Sequence, residues 1–478
     1  MRPESVGKLC NAALPRLRGR SALVLPEYGR AGLIPSVVHL GLGAFHRAHQ
    51  AMVFDRLLTA GDARWAVHGV AMRNPQLADS LAAQDGLYAV QIASSAGLTW
   101  QVPGALVRTS VAARERDQVL AAIAAPTTRW ITLTVTEKGY GAELAELLVD
   151  GLARRFAAGA GITGITIVSC DNLSDNGRKL QALCVAAADE RSAALAAWIA
   201  SACAFPCSMV DRIVPAATPA RLAAARAELG LEDACALGTE AFTEWVIERR
   251  FVDQSDGARL SSAGVTVVDD VRPFEEAKLR MLNGSHSAMA AIGVVAGLPV
   301  IADCINQPCV RELIYGLMTH EVAPHLARPD WESYRDALLA RFSNPELKHS
   351  VHQIATDSSL KISQRWPLSV LGQLQAGKSF ERMAFAAAVW MRYCRGVDEA
   401  GREYVIADPN AALMQALANQ HAASAPATVK ALGGLRQIWG EVLPAQPHWL
   451  ARVTHWITEI NAHGVLATTA RVNQLTAG

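Results

Sequence analysis

Long apolar runs are scarce in this 478-residue sequence. The two longest, Ala193 to Phe205 and Met289 to Ala302, are shorter than the roughly 18 to 20 residues that a membrane-spanning helix requires, so we interpret both as buried helices. The basic N-terminal residues are not followed by an apolar stretch of the kind that forms the core of a signal peptide. We therefore expect a cytoplasmic protein with no membrane partner.

An excess of charge of either sign is also missing. Lysine and arginine together number 45 against 44 aspartates and glutamates, which gives a net charge of +1. No whole-protein field is therefore expected to attract nucleic acid or an anionic membrane. Hydrophobic residues make up 51% of the chain and charged residues 19%, as in globular proteins. We expect a small-molecule partner, bound by a monomer or small homo-oligomer.

Cysteine patterns typical of disulfide frameworks or metal sites are absent. The nine cysteines are an odd number scattered through a long chain, which favours reduced thiols. The pairs Cys203 with Cys207 and Cys304 with Cys309 lack the CxxC or HxxxH partners that a closed set of zinc ligands needs. We therefore predict no metal site and exclude a zinc alcohol dehydrogenase. None of the seven tyrosines has a lysine four residues later, which excludes the tyrosine-based short-chain dehydrogenases.

Short β-rich segments alternate with Ala- and Leu-rich helical stretches in the first half of the chain. This alternation predicts an α/β Rossmann-like domain with a doubly wound parallel sheet over residues 1–270. From Pro273 onward the strand patterns disappear and breakers divide long amphipathic stretches, which predicts a mainly α-helical domain over residues 271–478. The predicted strand segments are SVVHLGLG at 36–43, WAVHGVAM at 65–72, RWITLTVTE at 129–137, GITIVSCDN at 164–172 and VTVVDDV at 265–271.

A glycine turn follows the first of these strands. In VVHLGLGAFHRAHQ, Gly41 and Gly43 permit a tight turn and close approach of backbone N–H groups to a pyrophosphate, and the following helix supplies a favourable dipole. The third glycine of the usual fingerprint is absent, so a turn that only packs a helix on a strand remains an alternative. The segment predicts a site for NAD, with its cofactor-binding residues at Gly41, Gly43, Ala44, Phe45 and Arg47.

The end of the second predicted strand lacks the carboxylate that often binds the adenosine ribose. The stretch GVAMRNPQ offers Arg73 instead. NADP is therefore a second candidate cofactor, because Arg73 can bind the 2′-phosphate of NADP. The alternative is that Arg73 is a solvated surface residue.

The segment PFEEAKLRMLNGSHSAMA, residues 273–290, gathers chemically useful groups on one predicted helix. At 100° per residue, Lys278, Asn283 and His286 fall within an arc of roughly 140°. Apolar neighbours lower the pKa of a lysine by desolvation, which makes it usable as a proton acceptor. The alternative is that these are ordinary surface or core groups.

Six segments resemble, in their order along the chain, the mannitol dehydrogenase family of polyol-specific long-chain dehydrogenases: HLGLGAFHRAHQ, TVTEKGY, SCDNLSDNG, FPCSMVDRIVP, EWVIERRF and KLRMLNGSHS. The motifs TEKGY, VDRIVPAAT, LNGSHS and RFSNPxLxH are most similar to the fructuronate reductase (mannonate oxidoreductase) branch. The resemblance implies a metal-independent oxidoreductase with a Rossmann-like first domain, a helical second domain and an active site between them. The chain departs from the family after Tyr140, where a segment of very roughly twenty residues is missing.

The resemblance also implies roles for single residues. Lys278 matches the general base, Asn172 and Asn283 match amides that polarise the reacting oxygen, and His286 matches a substrate-orienting histidine. Glu275 matches a glutamate on the proton path, although a helix-dipole role is an alternative.

Three further matches concern the cofactor and the substrate. Asp211 lies in a segment that lines the nicotinamide end of the cleft, with an internal ion pair to Arg212 as the alternative. Lys361 and Arg365 match substrate-binding positions. Because a guanidinium suits a carboxylate better than a hydroxyl, we predict an open-chain sugar acid. Alternatives are a polyol such as mannitol or arabinitol, a surface ion pair for Arg365, and a non-catalytic nucleotide sensor.

Overall fold

The structure is a computed structural model that describes residues 7–94, 96–159 and 163–476. The chain divides into two compact units, Met1–Arg272 and Pro273–Gly478, at a position two residues beyond the predicted boundary. No helix within the described ranges combines the length and apolar character needed to cross a membrane.

The strands lie in the first unit and form three sheets. In chain order they are Leu23–Val24 (β1), Val37–Leu40 (β2), Val67–Ala71 (β3), Val90–Ser94 (β4), Gly97–Gln101 (β5), Leu106–Val111 (β6), Trp130–Leu133 (β7), Thr166–Ser169 (β8), Ser208–Asp211 (β9), Leu237–Glu240 (β10), Glu244–Glu248 (β11) and Thr266–Val268 (β12).

The largest sheet has the order β6-β3-β2-β7-β8, and all its pairings are parallel. Numbered within this sheet, the order is third, second, first, fourth, fifth, which is the doubly wound Rossmann arrangement. Strands β2, β3, β7 and β8 are buried along their whole lengths, because helices cover both faces of such a sheet. Their apolar runs made them visible in the sequence, and the predicted fold class is confirmed.

Two smaller sheets were not predicted. They have the orders β1-β5-β4-β10 and β12-β11-β9, and each mixes parallel with antiparallel pairs. The expectation of one wholly parallel sheet is therefore wrong for this part of the unit. Strands such as LV at β1 and LGTE at β10 are too short or too polar to show a periodic pattern. Their pairing partners, which are distant in sequence, supply the stabilisation.

Helices connect these strands. In the first unit they are Leu14–Leu17 (α1), Ala44–Ala48 (α2), Gln50–Thr59 (α3), Pro75–Ala82 (α4), Arg116–Ala124 (α5), Ala142–Ala157 (α6), Asn176–Asp189 (α7), Ala193–Ala202 (α8), Pro219–Leu229 (α9) and Asp256–Ser262 (α10). Short 3-10 turns also occur, for example at Ala63–Trp65 and Glu137–Gly139.

The second unit is helical, and no strand is assigned in its described part. Its α-helices are Arg272–Ala277 (α11), Gly284–Ala296 (α12), Ile301–Ile305 (α13), Pro308–Gly316 (α14), Trp331–Phe342 (α15), Val351–Ala355 (α16), Ser358–Arg365 (α17), Pro367–Gln375 (α18), Glu381–Tyr393 (α19), Ala411–Gln420 (α20), Ala425–Gly433 (α21), Arg436–Trp439 (α22), Pro447–His463 (α23) and Val465–Thr476 (α24). The segments Lys278–Asn283 and Leu317–Val322 are π-helices. Helices α12 and α19 are buried over most of their lengths.

The two glycines of the turn after β2 have different requirements. Gly41 has a φ of +95°, and a Cβ there would lie 2.2 Å from the carbonyl oxygen of Thr134. Gly43 has a φ of −132°, and a Cβ there would meet its nearest atom, the Gly41 carbonyl oxygen, at 3.5 Å. Only Gly41 therefore requires glycine on steric grounds.

We predict that Gly41→Ala lowers the melting temperature by about 4 °C or more, since a left-handed alanine costs about 1 to 2 kcal/mol before the backbone clash is counted. Gly43→Ala is the matched control and should shift the melting temperature much less. Differential scanning calorimetry of both variants is the measurement. Equal shifts would contradict the steric argument.

Candidate active site

A cavity of about 510 Å³ opens at the carboxyl ends of the parallel strands. Met72 and Arg73 line it after β3, and Val135 and Thr136 line it after β7. The lining is completed by Lys138, Gly139, Gly141, Ala142, Glu143 and Leu144. Strands β2 and β7 are neighbours at which the order of the sheet reverses. Rossmann domains bind dinucleotides in the crevice at this reversal.

The glycine turn lies between the same two strands. The Gly41 and Leu42 N–H groups donate to the Val70 carbonyl at 2.9 and 3.0 Å, so the turn is tied to β3. Gly43 precedes α2 in an extended conformation, and Ala44 and Phe45 form the first turn of this helix.

The helix that follows the glycine turn is short. Helix α2 ends at Ala48, because His49 has a φ of −124° and a ψ of −86°, and the chain resumes as α3 at Gln50. The helical run predicted after the glycines is therefore present as two helices. The first-turn residues Ala44 and Phe45 are half-buried, and the Phe45 ring stacks on His49 at 5.0 Å.

Arg47 is buried, although the sequence placed it with the cofactor-binding residues. Its guanidinium donates to the carbonyls of Gly43 and Cys235, and it lies 5.1 Å from the centre of the Tyr88 ring. The side chain is 5% exposed. These contacts favour a role in bracing the glycine turn over direct contact with a cofactor.

Arg73 lies on the rim of the cavity. Its side chain is exposed and forms an ion pair with Glu143, in the first turn of α6. The exposure of Arg73 therefore agrees with the alternative that it is a solvated surface residue. The same residue nevertheless lines the crevice at the end of β3.

A buried carboxylate organises the loops after β7 and β8. Asp171 accepts hydrogen bonds from the N–H groups of Val135 and Thr136 at 3.2 and 2.8 Å, and from the Tyr140 hydroxyl at 2.9 Å. Tyr140 also bonds to Ser169. Burial raises the pKa of the Asp171 carboxyl, and these hydrogen bonds oppose the rise. The motifs TEKGY and SCDN are thus one structural unit.

Thr136 has an unfavourable backbone conformation that the Asp171 carboxylate stabilises. Its φ of +66° and ψ of 163° belong to a region that is almost restricted to glycine. Such strain persists only where surrounding contacts stabilise it, and it is concentrated at functional sites. Here the hydrogen bond from the Thr136 N–H to Asp171 supplies the contact, at the wall of the cavity.

The other predicted residues of the first unit lie at strand ends. Asn172 follows β8 directly after Asp171 and is exposed. Asp211 ends β9 and is buried. Arg212 donates to the carbonyls of Glu240 and Ala48.

In the second unit, the segment KLRMLN is a π-helix between α11 and α12. Hydrogen bonding from residue i+5 to residue i places Lys278 and Asn283 about one turn apart. An ideal α-helix would separate them by about 140°. The two half-buried side chains therefore share a face more closely than the predicted α-helix allows. Glu275 lies in the first turn of α11, where the helix-dipole role remains open.

Side chains of neighbouring helices support the junction between the π-helix and α12. Arg365 donates to the Asn283 carbonyl at 3.0 Å and to the Ser287 hydroxyl at 2.7 Å, and the Trp366 indole donates to the Gly284 carbonyl at 3.1 Å. These bonds satisfy carbonyls at the π-to-α junction, where the regular hydrogen-bond ladder changes.

His286 is buried at 7% exposure in a positively charged environment. Burial lowers the pKa of its imidazole well below the usual value, and the positive charges of His349, Arg341, Arg365 and Lys361 lower it further. The ring is therefore neutral near pH 7 and can both donate and accept a hydrogen bond. Its ring centre lies 4.7 Å from that of Phe342.

Lys361 and Arg365 lie one turn apart on α17. The Lys361 ammonium donates to the Ile354 carbonyl at 3.1 Å, and burial lowers its pKa. Burial also lowers the pKa of Arg365 to about 10. No carboxylate in the described part of the chain forms an ion pair with Arg365, so the surface ion pair considered from the sequence is wrong.

Metal-ligating side chains do not cluster within residues 7–94, 96–159 and 163–476. All nine cysteines are free thiols. Burial raises the pKa of both Cys203 and Cys304, so these thiols are protonated near neutral pH.

Comparison with known proteins decides the family. Residues 35–257 match the mannitol dehydrogenase Rossmann domain, and residues 270–461 match the mannitol dehydrogenase C-terminal domain. The chain belongs to the mannitol dehydrogenase family. It is accordingly an oxidoreductase of that family, as the sequence motifs predicted.

The names of two relatives state different substrates. The D-mannonate oxidoreductase of Escherichia coli (strain K12) is 37% identical over 459 residues, covering 90% of this chain and 94% of that protein. The mannitol 2-dehydrogenase of Phaeosphaeria nodorum is 34% identical over 483 residues, covering 94% of this chain and 83% of that protein.

A solved structure matches over almost the whole chain. The Pseudomonas fluorescens mannitol 2-dehydrogenase, in a ternary complex with NAD and D-mannitol, has a TM-score of 0.78 and is 29% identical. The match covers 98% of this chain and 99% of that one.

The sequence interpretation missed Asp171, Thr136, Arg341 and Glu143 as contributors to these sites. The first three stand inside motifs that were recognised, namely SCDN, TEKGY and RFSNPxLxH. A signal was therefore present for each. Their roles depend on contacts between motifs, which a single sequence does not display.

We predict that Asp171→Asn lowers the free energy of unfolding by about 2 kcal/mol or more, because an amide accepts through one oxygen and leaves buried donors unsatisfied. Tyr140→Phe removes a single donor and is the matched control, with an expected loss nearer 1 kcal/mol. Urea denaturation measures both. A smaller loss for Asp171→Asn than for Tyr140→Phe would show that the carboxylate does not organise the two loops.

Proposed function

We propose that this chain is an NAD-dependent oxidoreductase that interconverts a secondary alcohol and a ketone on an open-chain sugar acid of the mannonate and fructuronate type. Membership of the mannitol dehydrogenase family supports the reaction class. The observation that carries the substrate class is Arg365, a half-buried guanidinium beside the catalytic helix that donates to two neutral acceptors, the Asn283 carbonyl and the Ser287 hydroxyl.

The residues of the first unit fit a dinucleotide. Rossmann domains bind NAD at an arrangement of three features, and this unit has all three. They are a cavity where the strand order reverses, a glycine (Gly41) where the backbone passes close to Thr134, and a turn that leads into α2. NAD is also the cofactor in the ternary complex of the Pseudomonas fluorescens relative. When bound, it accepts or returns the hydride.

Proton transfer is assigned to the second unit. In alcohol oxidation, Lys278 in its neutral form takes the proton of the substrate hydroxyl. The Asn283 amide, one π-helical turn away, donates a hydrogen bond to the same oxygen and stabilises the negative charge that develops there. Neutral His286 orients the substrate by hydrogen bonding. For Asn172, the role on the reacting oxygen rests on the family resemblance.

Positive charge favours a carboxylate substrate. Arg365 contacts Ser287, the residue next to His286, and the positive charges of Arg365 and Lys361 lower the pKa of the His286 imidazole. A polyol needs only neutral hydrogen-bonding partners. A bound carboxylate, in contrast, offsets the free-energy cost of desolvating two cations. The D-mannonate oxidoreductase relative supports the same substrate class. A polyol such as mannitol or arabinitol is the second candidate, favoured by the mannitol 2-dehydrogenase relatives.

We predict that Lys278→Met lowers kcat for alcohol oxidation by at least about 10²-fold, the lower range of general acid-base effects. The profile of kcat against pH should lose the inflection that arises from the titration of Lys278. Affinity for NADH, measured by titration, should stay within a few-fold of the original protein. A variant that folds, binds NADH and turns over at nearly the original rate would remove Lys278 as the general base.

We predict that Arg365→Ala lowers kcat/KM for mannonate or fructuronate by about 30-fold or more, since truncating one partner of a buried charge pair costs about 2 kcal/mol at least. Activity on mannitol or arabinitol should change only a few-fold. Initial rates on all four substrates are the measurement.

Ser287→Ala is the matched control for that experiment. It removes the hydroxyl acceptor of Arg365 and leaves the guanidinium in place. Equal losses on charged and neutral substrates in Arg365→Ala would show that Arg365 only supports the junction at Asn283. A clear preference of the original protein for mannitol over mannonate would overturn the sugar-acid assignment and leave the dehydrogenase assignment intact.

A further inference from the structure

The rim of the first unit's cavity combines charges in an arrangement unusual for a Rossmann domain. At the end of the second strand of such a sheet, a carboxylate commonly accepts hydrogen bonds from the adenosine ribose of NAD. Here Met72 and Arg73 follow β3, and no carboxylate stands at this point of the sequence. An arginine alone in this place would favour the 2′-phosphate of NADP.

A carboxylate reaches the same place from another element. Glu143, in the first turn of α6, forms an ion pair with Arg73, and both residues line the cavity. Their side chains are 56% and 79% exposed, so a ligand in the cavity can contact either one. The tertiary structure thus places a carboxylate beside the end of β3, although the strand itself does not carry one.

Two neighbouring features keep Glu143 ionised and in position. The Arg73 guanidinium, by its hydrogen bond and its charge, lowers the pKa of the Glu143 carboxyl. A negative charge in the first turn is also stabilised by the helix dipole of α6. Lys138, on the same lining, adds a second cation.

We propose that Glu143, held by Arg73, binds the adenosine ribose hydroxyls and makes this protein select NAD over NADP. This inference rests on the proposed dinucleotide-dependent function. The carboxylate accepts hydrogen bonds from the 2′- and 3′-hydroxyls of NAD. It repels the 2′-phosphate of NADP and at the same time occupies the guanidinium that would otherwise bind that phosphate.

Removal of the carboxylate charge should therefore reverse the selection. In Glu143→Gln, Arg73 and Lys138 remain on the cavity wall without the opposing charge. The variant should bind NADH more weakly and NADPH more tightly, with the ratio of the two dissociation constants changing by about tenfold or more. The double variant Glu143→Gln with Arg73→Ala should lose the gain for NADPH.

Isothermal titration calorimetry with NADH and NADPH is the first measurement, because it does not depend on knowing the sugar substrate. Glu146→Gln is the matched control: it lies on the same helix, is exposed and does not line the cavity. It should leave both dissociation constants unchanged. The ratio of kcat/KM for NAD and NADP provides the second measurement.

The outcomes separate this inference from the proposed function. An unchanged dissociation-constant ratio in Glu143→Gln, or a protein that binds NADPH more tightly than NADH, would overturn the role of Glu143. Selective binding of NADH that is lost in Glu143→Gln would support the role even if no sugar acid or polyol were turned over. In that case the proposed substrate class would be wrong, and the role of Glu143 in NAD selection would still be supported.

Discussion

The close approach of the Gly41 backbone to the Thr134 carbonyl is the constraint on which the ligand-binding end of the first unit depends. Parallel strands β2 and β7 lie side by side, and their chains diverge beyond Leu40 and Leu133. A side chain at Gly41 would push the two loops apart at the point of divergence. The crevice of about 510 Å³ opens directly after Thr134, with Val135 and Thr136 in its wall.

Backbone geometry that is unfavourable by itself recurs where the chemistry is expected, and in each case tertiary contacts stabilise it. Thr136 keeps its left-handed conformation through Asp171. The π-helix of Lys278–Asn283 is supported by Arg365 and by Arg280, which donates to the Ser369 hydroxyl at 3.0 Å and the His325 carbonyl at 3.0 Å. Such segments retain their shape because the surrounding side chains satisfy the exposed carbonyls and N–H groups.

Burial determines how the charged groups of the two units behave. In the second unit, desolvation lowers the pKa of His286, Lys361 and Arg365 together, so that bringing an anion to them is favourable. In the first unit, Arg73 and Glu143 are exposed and retain their full charges at the rim of the cavity. The buried cluster suits recognition of a substrate carboxylate. The exposed pair suits discrimination between ligands that differ by one phosphate.

The amino-acid sequence by itself determined the Rossmann-like and helical halves, the strands of the large sheet and the family. The reason is that strands buried on both faces are continuous apolar runs, and the motifs are local stretches of chain. The small mixed sheets, the break at His49 and the π-helix depended on the tertiary structure. Short strands are stabilised by distant partners, and packing rather than local propensity chooses between hydrogen bonds to i+4 and to i+5.

The same division applies to single residues. Lys278 and Asn283 were recognisable from a motif, because their spacing is local. Three other contacts were not recognisable from the sequence. They join Asp171 to Tyr140, 31 positions apart, Arg73 to Glu143, 70 positions apart, and Arg365 to Asn283, 82 positions apart. Each contact is made by loops or helices that meet only after the chain has folded. Their energies depend on burial, which no local pattern encodes.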